Sequence, residues 1–207
     1  MRAGAVVLAA GQSRRMGRNK LLLPVGGATV LDSLLSSLRE VIDDVVVVTG
    51  HDPEPITMIA ARYGCRVIHN PIYDRGMTTS FQAGLRTLDA DAAFLVLGDQ
   101  LCLNQDTLRK MMATMEGDLS VLIVSPAYKG KRGHPTLIRR ALFGEFLALG
   151  DDGIMRDVVR SHESAHRTVE GDEWCTTDMD TPADYKDALK KLRSYIRSQR
   201  RSSAWGS

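Results

Sequence analysis

Short apolar runs alternate with amphipathic stretches along the whole chain. Unbroken apolar runs are typical of strands covered on both faces, whereas apolar residues three and four positions apart predict helices packed on one side. The alternation predicts an α/β protein in which helices cover both faces of a mostly parallel sheet. The predicted strands are Ala3–Ala10, Val45–Gly50, Arg66–His69, Ala92–Leu97, Ser120–Ser125, Pro135–Ile138 and Arg167–Val169.

The predicted helices have recognisable first residues. Thr29 and Asn104 are suitable N-caps for the helices that follow them, and Pro182 lies in the first turn of the last helix, where proline is tolerated. The helices are Val30–Glu40, Ile56–Tyr63, Thr79–Leu88, Gln105–Met115, Arg140–Leu149, Ile154–Ser161 and Pro182–Gln199. Ligands in open α/β sheets bind beyond the carboxyl ends of strands, so we expect functional residues after Ala10, Leu97 and Val169.

Composition narrows the class of protein. The 207 residues are 43% hydrophobic and 25% charged, with a net charge of +2, which is ordinary for one globular domain. A chain of this size buries roughly 70% of its unfolded surface and needs no disulfide or metal for its core. The three cysteines form no Cys-x-x-Cys pair, which favours a reducing compartment. No apolar run approaches the ~20 residues of a membrane span, and no signal peptide is evident. We expect a cytoplasmic protein.

The charge is unevenly distributed. Residues 186–207 contain seven Lys or Arg and one Asp, a balance of +6, which leaves −4 for the rest. Cations suit the end of a helix, and aromatic residues that could stack on bases are nearly absent there. We therefore expect a folded domain over residues 1–195 and a basic, disordered tail over 196–207, without a nucleic-acid partner.

The first predicted strand leads into a loop suited to phosphate. Residues 11–20 contain two glycines, a serine and four cations. Glycine allows backbone N–H groups to approach an anion closely, and Arg15 and Lys20 add charges that reach a triphosphate. The spacing fits neither the dinucleotide-binding glycine pattern nor the Walker pattern. The loop therefore predicts another kind of nucleotide-binding site.

This loop resembles the signature of the nucleotidyltransferases that activate molybdopterin, the molybdenum cofactor cytidylyltransferases and guanylyltransferases. The matching residues are Leu8-Ala9-Ala10-Gly11-x-Ser13-x-Arg15-Met16-Gly17-x-x-Lys20. Further matches follow in order at Asn70-Pro71, Gly76–Leu85, Leu97-Gly98-Asp99-Gln100, Gly133-His134-Pro135 and Asp178-Met179-Asp180-Thr181-Pro182. The resemblance extends to about Leu192. Leu101 departs from the pattern, since the family usually has proline there.

The resemblance implies a fold and an activity. The fold would be a Rossmann-like three-layer α/β/α sandwich with a mixed, mostly parallel sheet, like that of nucleotide-diphospho-sugar transferases, with residues 1–195 as the NTP transferase domain. The activity would be transfer of CMP from CTP to molybdopterin with release of pyrophosphate, assisted by Mg²⁺ or Mn²⁺. Alternatives are a GTP-dependent guanylyltransferase, a sugar-phosphate or other small-molecule nucleotidyltransferase, and a non-catalytic nucleotide-binding carrier. A molybdoenzyme or its chaperone would receive the product.

Carboxylates supply the candidate metal ligands. Asp99 follows an apolar strand and should emerge at the sheet edge beside the first loop, where magnesium finds oxygen ligands. The resemblance adds Asp180, with Asp178 as the second choice. Lys20, Arg15 and Asp99 are the expected catalytic residues. The expected nucleotide-binding residues are Leu8, Ala9, Ala10, Gly11, Ser13, Arg15, Lys20 and Gly98.

The acceptor side is less specific. Gly76–Leu85 predicts a polar loop before a helix, with Thr78, Thr79 and Ser80 as possible caps, and such helix starts suit anions; a plain capped helix is the alternative. By resemblance the acceptor-binding residues are Gly76, Thr78, Thr79, Ser80, Gln82 and His134. A purely structural role is nearly as good an interpretation for His134.

Two local features refine these expectations. His162-Glu163-x-x-His166 matches the zinc peptidase pattern, but a strand is predicted directly after the second histidine, so we expect a solvated helix end rather than a metal site. Ala10 occupies a position where guanylyltransferases typically have a second glycine. Its methyl group narrows the space in which the nucleotide base would pack. This predicts a preference for a pyrimidine base over the larger purine.

Overall fold

The computed structural model describes residues 1–150 and 153–203, except for the side chains of residues 196–203. The described chain contains an eight-stranded sheet in the order β10-β7-β9-β6-β1-β4-β5, with β8 beside β7. Neighbouring strands are parallel except where β8 and β9 pair with their neighbours. The strands of this sheet are β1 Ala3–Ala9, β4 Asp44–Thr49, β5 Arg66–His69, β6 Ala92–Leu97, β7 Ile123–Tyr128, β8 Lys131–Arg132, β9 Thr136–Arg139 and β10 His166–Glu170.

Helices cover both faces of the sheet, as predicted. The described helices are α1 Val30–Arg39, α2 Pro53–Arg62, α3 Met77–Leu85, α4 Gln105–Gly117, α5 Phe143–Ala148, α6 Met155–Ser161 and α7 Pro182–Ser203. Ala5 and Val7 of β1 belong to the core that packs against α1, α2 and α4. Val6, between them, belongs to the core against α3, α5 and α6. The mixed α/β/α sandwich is therefore confirmed.

Local signals explain the helix starts. Thr29 and Asp32 form a capping box at the start of α1, and the Asn104 side chain accepts a hydrogen bond from the backbone N–H of Thr107 in α4. Both predicted caps are confirmed. The start of α3 was predicted wrongly, because Gly76 is its N-cap and the helix begins at Met77. The predicted helix 140–149 is a 3₁₀ turn followed by α5.

A third hydrophobic cluster holds the C-terminal part of the chain beside the end of β1. It joins Trp174, Met179 and Tyr185 to Met16, Leu23 and Val25. Val25 belongs to a small hairpin of β2 Pro24–Val25 and β3 Ala28–Thr29, which the sequence pattern did not predict. The Tyr185 hydroxyl donates to the carbonyl of Pro24 at 2.5 Å. These contacts place the segment before α7 next to the first loop.

The C-terminal prediction falls partly outside the described residues. Helix α7 runs to Ser203, so the expected tail 196–207 begins inside this helix, and residues 204–207 are not described. None of the helices in the described ranges combines the length and apolar character that a membrane span requires.

The zinc peptidase pattern is split between structural elements. His162 follows α6 and its Nε2 lies 2.9 Å from the carboxylate of Glu145. His166 is the first residue of β10, buried, with its Nε2 3.0 Å from Ser125 Oγ. The expectation of a solvated helix end was wrong for His166. Among the described residues, no group of three His, Cys, Asp or Glu side chains is placed to hold a metal ion.

Candidate active site

A cavity of about 620 Å³ opens at the carboxyl ends of β1 and β6. Its walls come from the first loop, the turn after β6, the segment before α7 and the start of α3. The lining includes most of the predicted nucleotide-binding residues: Leu8, Ala10, Gly11, Ser13, Arg15, Lys20 and Gly98. Ala9 faces the core instead and is buried.

The first loop is closed by its own hydrogen bonds. Ser13 adopts a left-handed backbone conformation, with φ of 48°, and its hydroxyl accepts a hydrogen bond from the backbone N–H of Lys20 at 3.1 Å. A 3₁₀ turn, Arg14–Met16, lies between them, and Met16 is buried. Ser13 therefore fixes the backbone from which the Lys20 side chain extends into the cavity.

Two glycines allow close approach for different reasons. A Cβ on Gly98 would lie 2.6 Å from the carbonyl oxygen of Leu8, so the two strand ends require glycine there. A Cβ on Gly11 would meet no atom within 4 Å, and Gly11 does not have a positive φ. The fold itself therefore does not require glycine at position 11. What glycine provides there is open space and accessible backbone inside the cavity.

Lys20 brings together the two carboxylates that the sequence singled out. Its Nζ contacts Asp99 Oδ2 and lies 2.8 Å from Asp180 Oδ1. Arg15 approaches the other oxygen of Asp180 at 2.9 Å. The Lys20 and Asp99 side chains are 19% and 18% exposed, whereas Arg15 is 73% exposed. The cluster is therefore half-enclosed, with the exposed Arg15 guanidinium on the solvent side.

Protonation follows from these contacts. Burial by itself would lower the pKa of the Lys20 ammonium, but the carboxylates of Asp99 and Asp180 outweigh it and raise that pKa. The hydrogen bond from Lys20 is the main cause of the lowered pKa of Asp180. At neutral pH the cluster therefore contains an ammonium and an ionised Asp180 carboxylate.

A capping box positions Asp180. The Asp184 carboxylate accepts hydrogen bonds from the backbone N–H groups of Asp180 at 3.2 Å and Thr181 at 2.8 Å, and the Thr181 hydroxyl accepts one from the backbone of Asp184. Met179 is buried, while Asp178 and Asp180 line the cavity on either side of it. The two carboxylates therefore stand on the cavity side of this segment and Met179 on the core side.

The donor set fits a hard divalent cation. Asp99 and Asp180 contact one nitrogen, so a cation at that point is within reach of both carboxylates. Magnesium typically uses one or two carboxylates and completes its shell with water and substrate phosphates. Two protein carboxylates beside an open cavity meet that requirement.

Only part of the expected acceptor set reaches the cavity. Gly76 and Ser80 line it. The Thr78 hydroxyl donates to the carbonyl of Gly153, Thr79 to that of Gly76, and the Gln82 amide to the carbonyls of Phe146 and Leu149. Thr78 and Gln82 hold α3 against neighbouring segments, Thr79 bonds to the N-cap of α3 itself, and all three side chains are buried. Ser80 is itself held by the Asn70 amide, 3.0 Å from its hydroxyl.

His134 lies behind the cavity rather than in its wall. Its backbone N–H donates to the carbonyl of Cys175 at 2.8 Å, and a small void beside it is lined by Cys102, Asp172 and Cys175. Burial lowers the pKa of His134, so the imidazole is neutral at pH 7. These contacts favour the structural interpretation of this histidine.

Sequence reasoning missed several wall residues. Tyr73, Asp74 and Met77 line the cavity from the side of α3, and Gln12 donates to the Tyr73 hydroxyl at 3.3 Å. Tyr73 packs on Gly50, where a Cβ would lie 2.4 Å from the ring. Two features of the sequence could have indicated Tyr73. Gln12, which contacts it, stands between Gly11 and Ser13 of the first loop, and Gly50, on which it packs, directly follows β4.

The fold and the site define a nucleotidyltransferase. A glycine-containing loop after the first strand, a lysine and two carboxylates meet at the carboxyl edge of the sheet, where open α/β folds bind their ligands. Residues 5–166 match the model of the MobA-like NTP transferase domain, and the chain belongs to that family.

Named relatives are similar over most of the chain. The molybdenum cofactor cytidylyltransferase of Escherichia coli is 28% identical over 187 residues, covering 90% of this chain and 95% of the relative. The molybdenum cofactor guanylyltransferase of Mesorhizobium japonicum is 28% identical over 168 residues, covering 76% and 78%. Both are nucleotidyltransferases by name.

Solved structures of similar proteins have the same fold. The crystal structure of Rv0371c from Mycobacterium tuberculosis superposes with a TM-score of 0.79 at 30% identity, covering 92% of this chain and 98% of that one. Its complex with manganese superposes with a TM-score of 0.74, at 26% identity, covering 92% and 99%.

We expect Gly11→Ala to weaken nucleotide binding without weakening the fold. The added methyl group enters open cavity space, and overpacking by one carbon costs about 1–3 kcal/mol, or roughly 5- to 150-fold in affinity. Titration calorimetry with CTP measures the effect. Gly144→Ala is the matched control, because its Cβ also meets no atom within 4 Å but lies in α5. Unchanged affinity in Gly11→Ala would exclude close approach of the nucleotide to this loop.

Proposed function

We propose that the protein transfers CMP from CTP to molybdopterin and releases pyrophosphate in a magnesium-dependent reaction. The observation that carries this proposal is the contact of one lysine, Lys20, with two carboxylates, Asp99 and Asp180, at the mouth of a glycine-lined cavity. The similarity to molybdenum cofactor nucleotidyltransferases supports molybdopterin as the acceptor.

The chemistry requires positioning and charge stabilisation. An oxygen of the acceptor phosphate attacks the α-phosphorus of CTP, a new P–O bond forms, and the bond to the β-phosphate breaks with pyrophosphate leaving. The attacking phosphate is already an anion, so no general base is needed. Bound at Asp99 and Asp180, Mg²⁺ would neutralise charge at the α-phosphate and on the pyrophosphate.

Each cation has a separate role in this proposal. Lys20 is anchored through its backbone to Ser13, and its ammonium stabilises charge that develops at the α-phosphate. Arg15 is largely exposed at the cavity mouth, where it binds the β- and γ-phosphates. Ser80 and the backbone at Gly76 serve the acceptor side. The finished cofactor passes to a molybdoenzyme or its chaperone.

One assay tests the reaction class and the nucleotide together. The protein is incubated with molybdopterin, magnesium and each of the four nucleoside triphosphates in turn, and pyrophosphate is measured. Pyrophosphate that forms with CTP and requires molybdopterin supports the proposal. In a parallel incubation with a sugar phosphate in place of molybdopterin, pyrophosphate would identify another acceptor. Nucleotide binding measured by titration calorimetry, without pyrophosphate in either incubation, would identify a carrier.

We expect CTP to exceed GTP by at least about tenfold in kcat/KM, and Ala10→Gly to reduce this ratio. Ala10 lines the cavity at the end of β1, and its methyl group narrows the space for a purine at a cost of about 1–3 kcal/mol, roughly 5- to 150-fold. Because both nucleotides are measured with the same protein preparation, the ratio of their kcat/KM values does not depend on the fraction of active protein. Equal or better use of GTP by the parent would assign the guanylyltransferase activity instead.

A further inference from the structure

The Lys20 ammonium lies at the point where a metal ion would be held. Its Nζ contacts Asp99 and Asp180 together, and Arg15 pairs with the remaining oxygen of Asp180. Two carboxylates are therefore matched by two cations of the same chain. The pair of carboxylates Asp99 and Asp180 is therefore charge-balanced before any ligand arrives.

We propose that Lys20 is a resident counter-ion, which keeps divalent cations off Asp99 and Asp180 until nucleotide phosphates draw its ammonium away from these two carboxylates. This inference rests on the proposed function, because it takes the two carboxylates as metal ligands and a nucleoside triphosphate as substrate. It predicts that metal and nucleotide bind cooperatively and that free metal alone binds poorly.

Competition for the same oxygens is the first reason. A divalent cation held between the two carboxylates needs a lone pair on each of them, and the ammonium occupies one oxygen of each. The site is also half-enclosed, and repulsion between an ammonium and a dication is weakly screened where water is partly excluded. Metal binding therefore requires that Lys20 leave.

Only the side chain of Lys20 has to move for its ammonium to leave the two carboxylates. The Lys20 backbone is fixed by Ser13, so only its flexible side chain has to move, and an ammonium on four methylenes reorients easily. Its new partners are the phosphates, whose negative charge replaces that of the carboxylates. Arg15 is mostly exposed and can follow in the same way.

Binding of Mn²⁺ to the nucleotide-free, full-length protein tests the inference without an activity assay. The electron paramagnetic resonance signal of free Mn²⁺ gives the dissociation constant. We expect Lys20→Met to bind Mn²⁺ at least about tenfold more tightly than the parent, within the range of ordinary coupling between sites. Lys20→Arg keeps the charge and should bind as weakly as the parent.

Two control variants test whether the expected gain in Mn²⁺ affinity arises at Asp99 and Asp180. Lys190→Met removes an exposed lysine that pairs with Asp187 on α7 and should leave Mn²⁺ binding unchanged, which excludes an effect of net charge. Lys20→Met combined with Asp99→Asn should lose the added affinity. Thermal unfolding midpoints report whether each variant is folded.

A second measurement follows the thermal unfolding midpoint of the parent protein, with Asp99→Asn as the control. Mn²⁺ alone should leave its unfolding midpoint unchanged at concentrations at which Mn²⁺ with CTP raises the midpoint above that with CTP alone. A rise with Mn²⁺ alone that Asp99→Asn removes would overturn the counter-ion role.

The failures of the two proposals are distinguishable. If Lys20→Met binds Mn²⁺ no more tightly than the parent, while Asp99→Asn abolishes CTP-dependent Mn²⁺ binding, only the counter-ion inference is overturned. If neither the parent with CTP nor Lys20→Met binds Mn²⁺, the metal assignment of the proposed function fails, and this inference fails with it.

Discussion

Asp99→Asn should reduce magnesium-dependent pyrophosphate formation by about 10³-fold or more. A metal ion supplies several kcal/mol of charge stabilisation in transfers of this kind, and each ~1.4 kcal/mol is a factor of ten in rate. The amide keeps the size of the side chain but loses the negative charge that a divalent cation requires. Steady-state rates over a magnesium titration measure the loss.

The fold should tolerate this substitution. Asp99 lies beyond the end of β6 at the cavity, and Lys20 keeps its contact with Asp180. Asp106→Asn is the matched control, because Asp106 is 82% exposed on α4 and pairs with Arg109 one helical turn away; its rate should equal that of the parent. An Asp99→Asn protein that responds to magnesium as the parent does would show that the ligand assignment is wrong.

Most strands could be predicted because apolar runs record burial on both faces. Ala92–Leu97, buried over most of its length, matches the structure. The bounds of the edge strand Arg66–His69 also match, although its first and last residues are exposed. The predicted strand Ser120–Ser125 is shifted by three residues in the structure, where it is β7, Ile123–Tyr128. Its predicted end stopped before Pro126, yet Pro126 lies inside β7 opposite Val169. Proline usually marks a strand end or an edge, and the pairing with β10 that accommodates it is a tertiary property.

The site residues, like the strands, fall into two groups: those that local sequence could predict and those whose roles depend on tertiary contacts. Lys20, Asp99 and Asp180 stand in motifs next to strand or helix ends, and local sequence was sufficient to single them out. Thr78 and Gln82 stand in the same kind of motif, but their polar groups bond to distant carbonyls of Gly153 and Phe146. A polar side chain at a helix start has the same sequence signal whether it faces a ligand or a neighbouring backbone.

Lys20→Ala should lower kcat by roughly 10²- to 10³-fold, the range typical of losing one charge-stabilising donor at a transition state. Nucleotide binding should weaken less, because the loop backbone, Gly11 and Arg15 still contact the phosphates in the proposed complex. The raised pKa of Lys20 keeps it cationic through the neutral range, so the loss should be constant from about pH 6 to 9. Separate determination of kcat and KM tests this division.

Removal of Lys20 is expected to have opposite effects on Mn²⁺ binding and on turnover, which makes this prediction specific. Removing Lys20 should improve the binding of free Mn²⁺ while it slows the reaction, because the same ammonium competes with metal at rest and stabilises charge during transfer. Lys190→Ala, which removes an exposed lysine of α7, should change neither quantity. A Lys20→Ala protein with near-normal turnover would exclude the role at the α-phosphate. A large rise in KM at unchanged kcat would instead assign Lys20 to substrate binding alone.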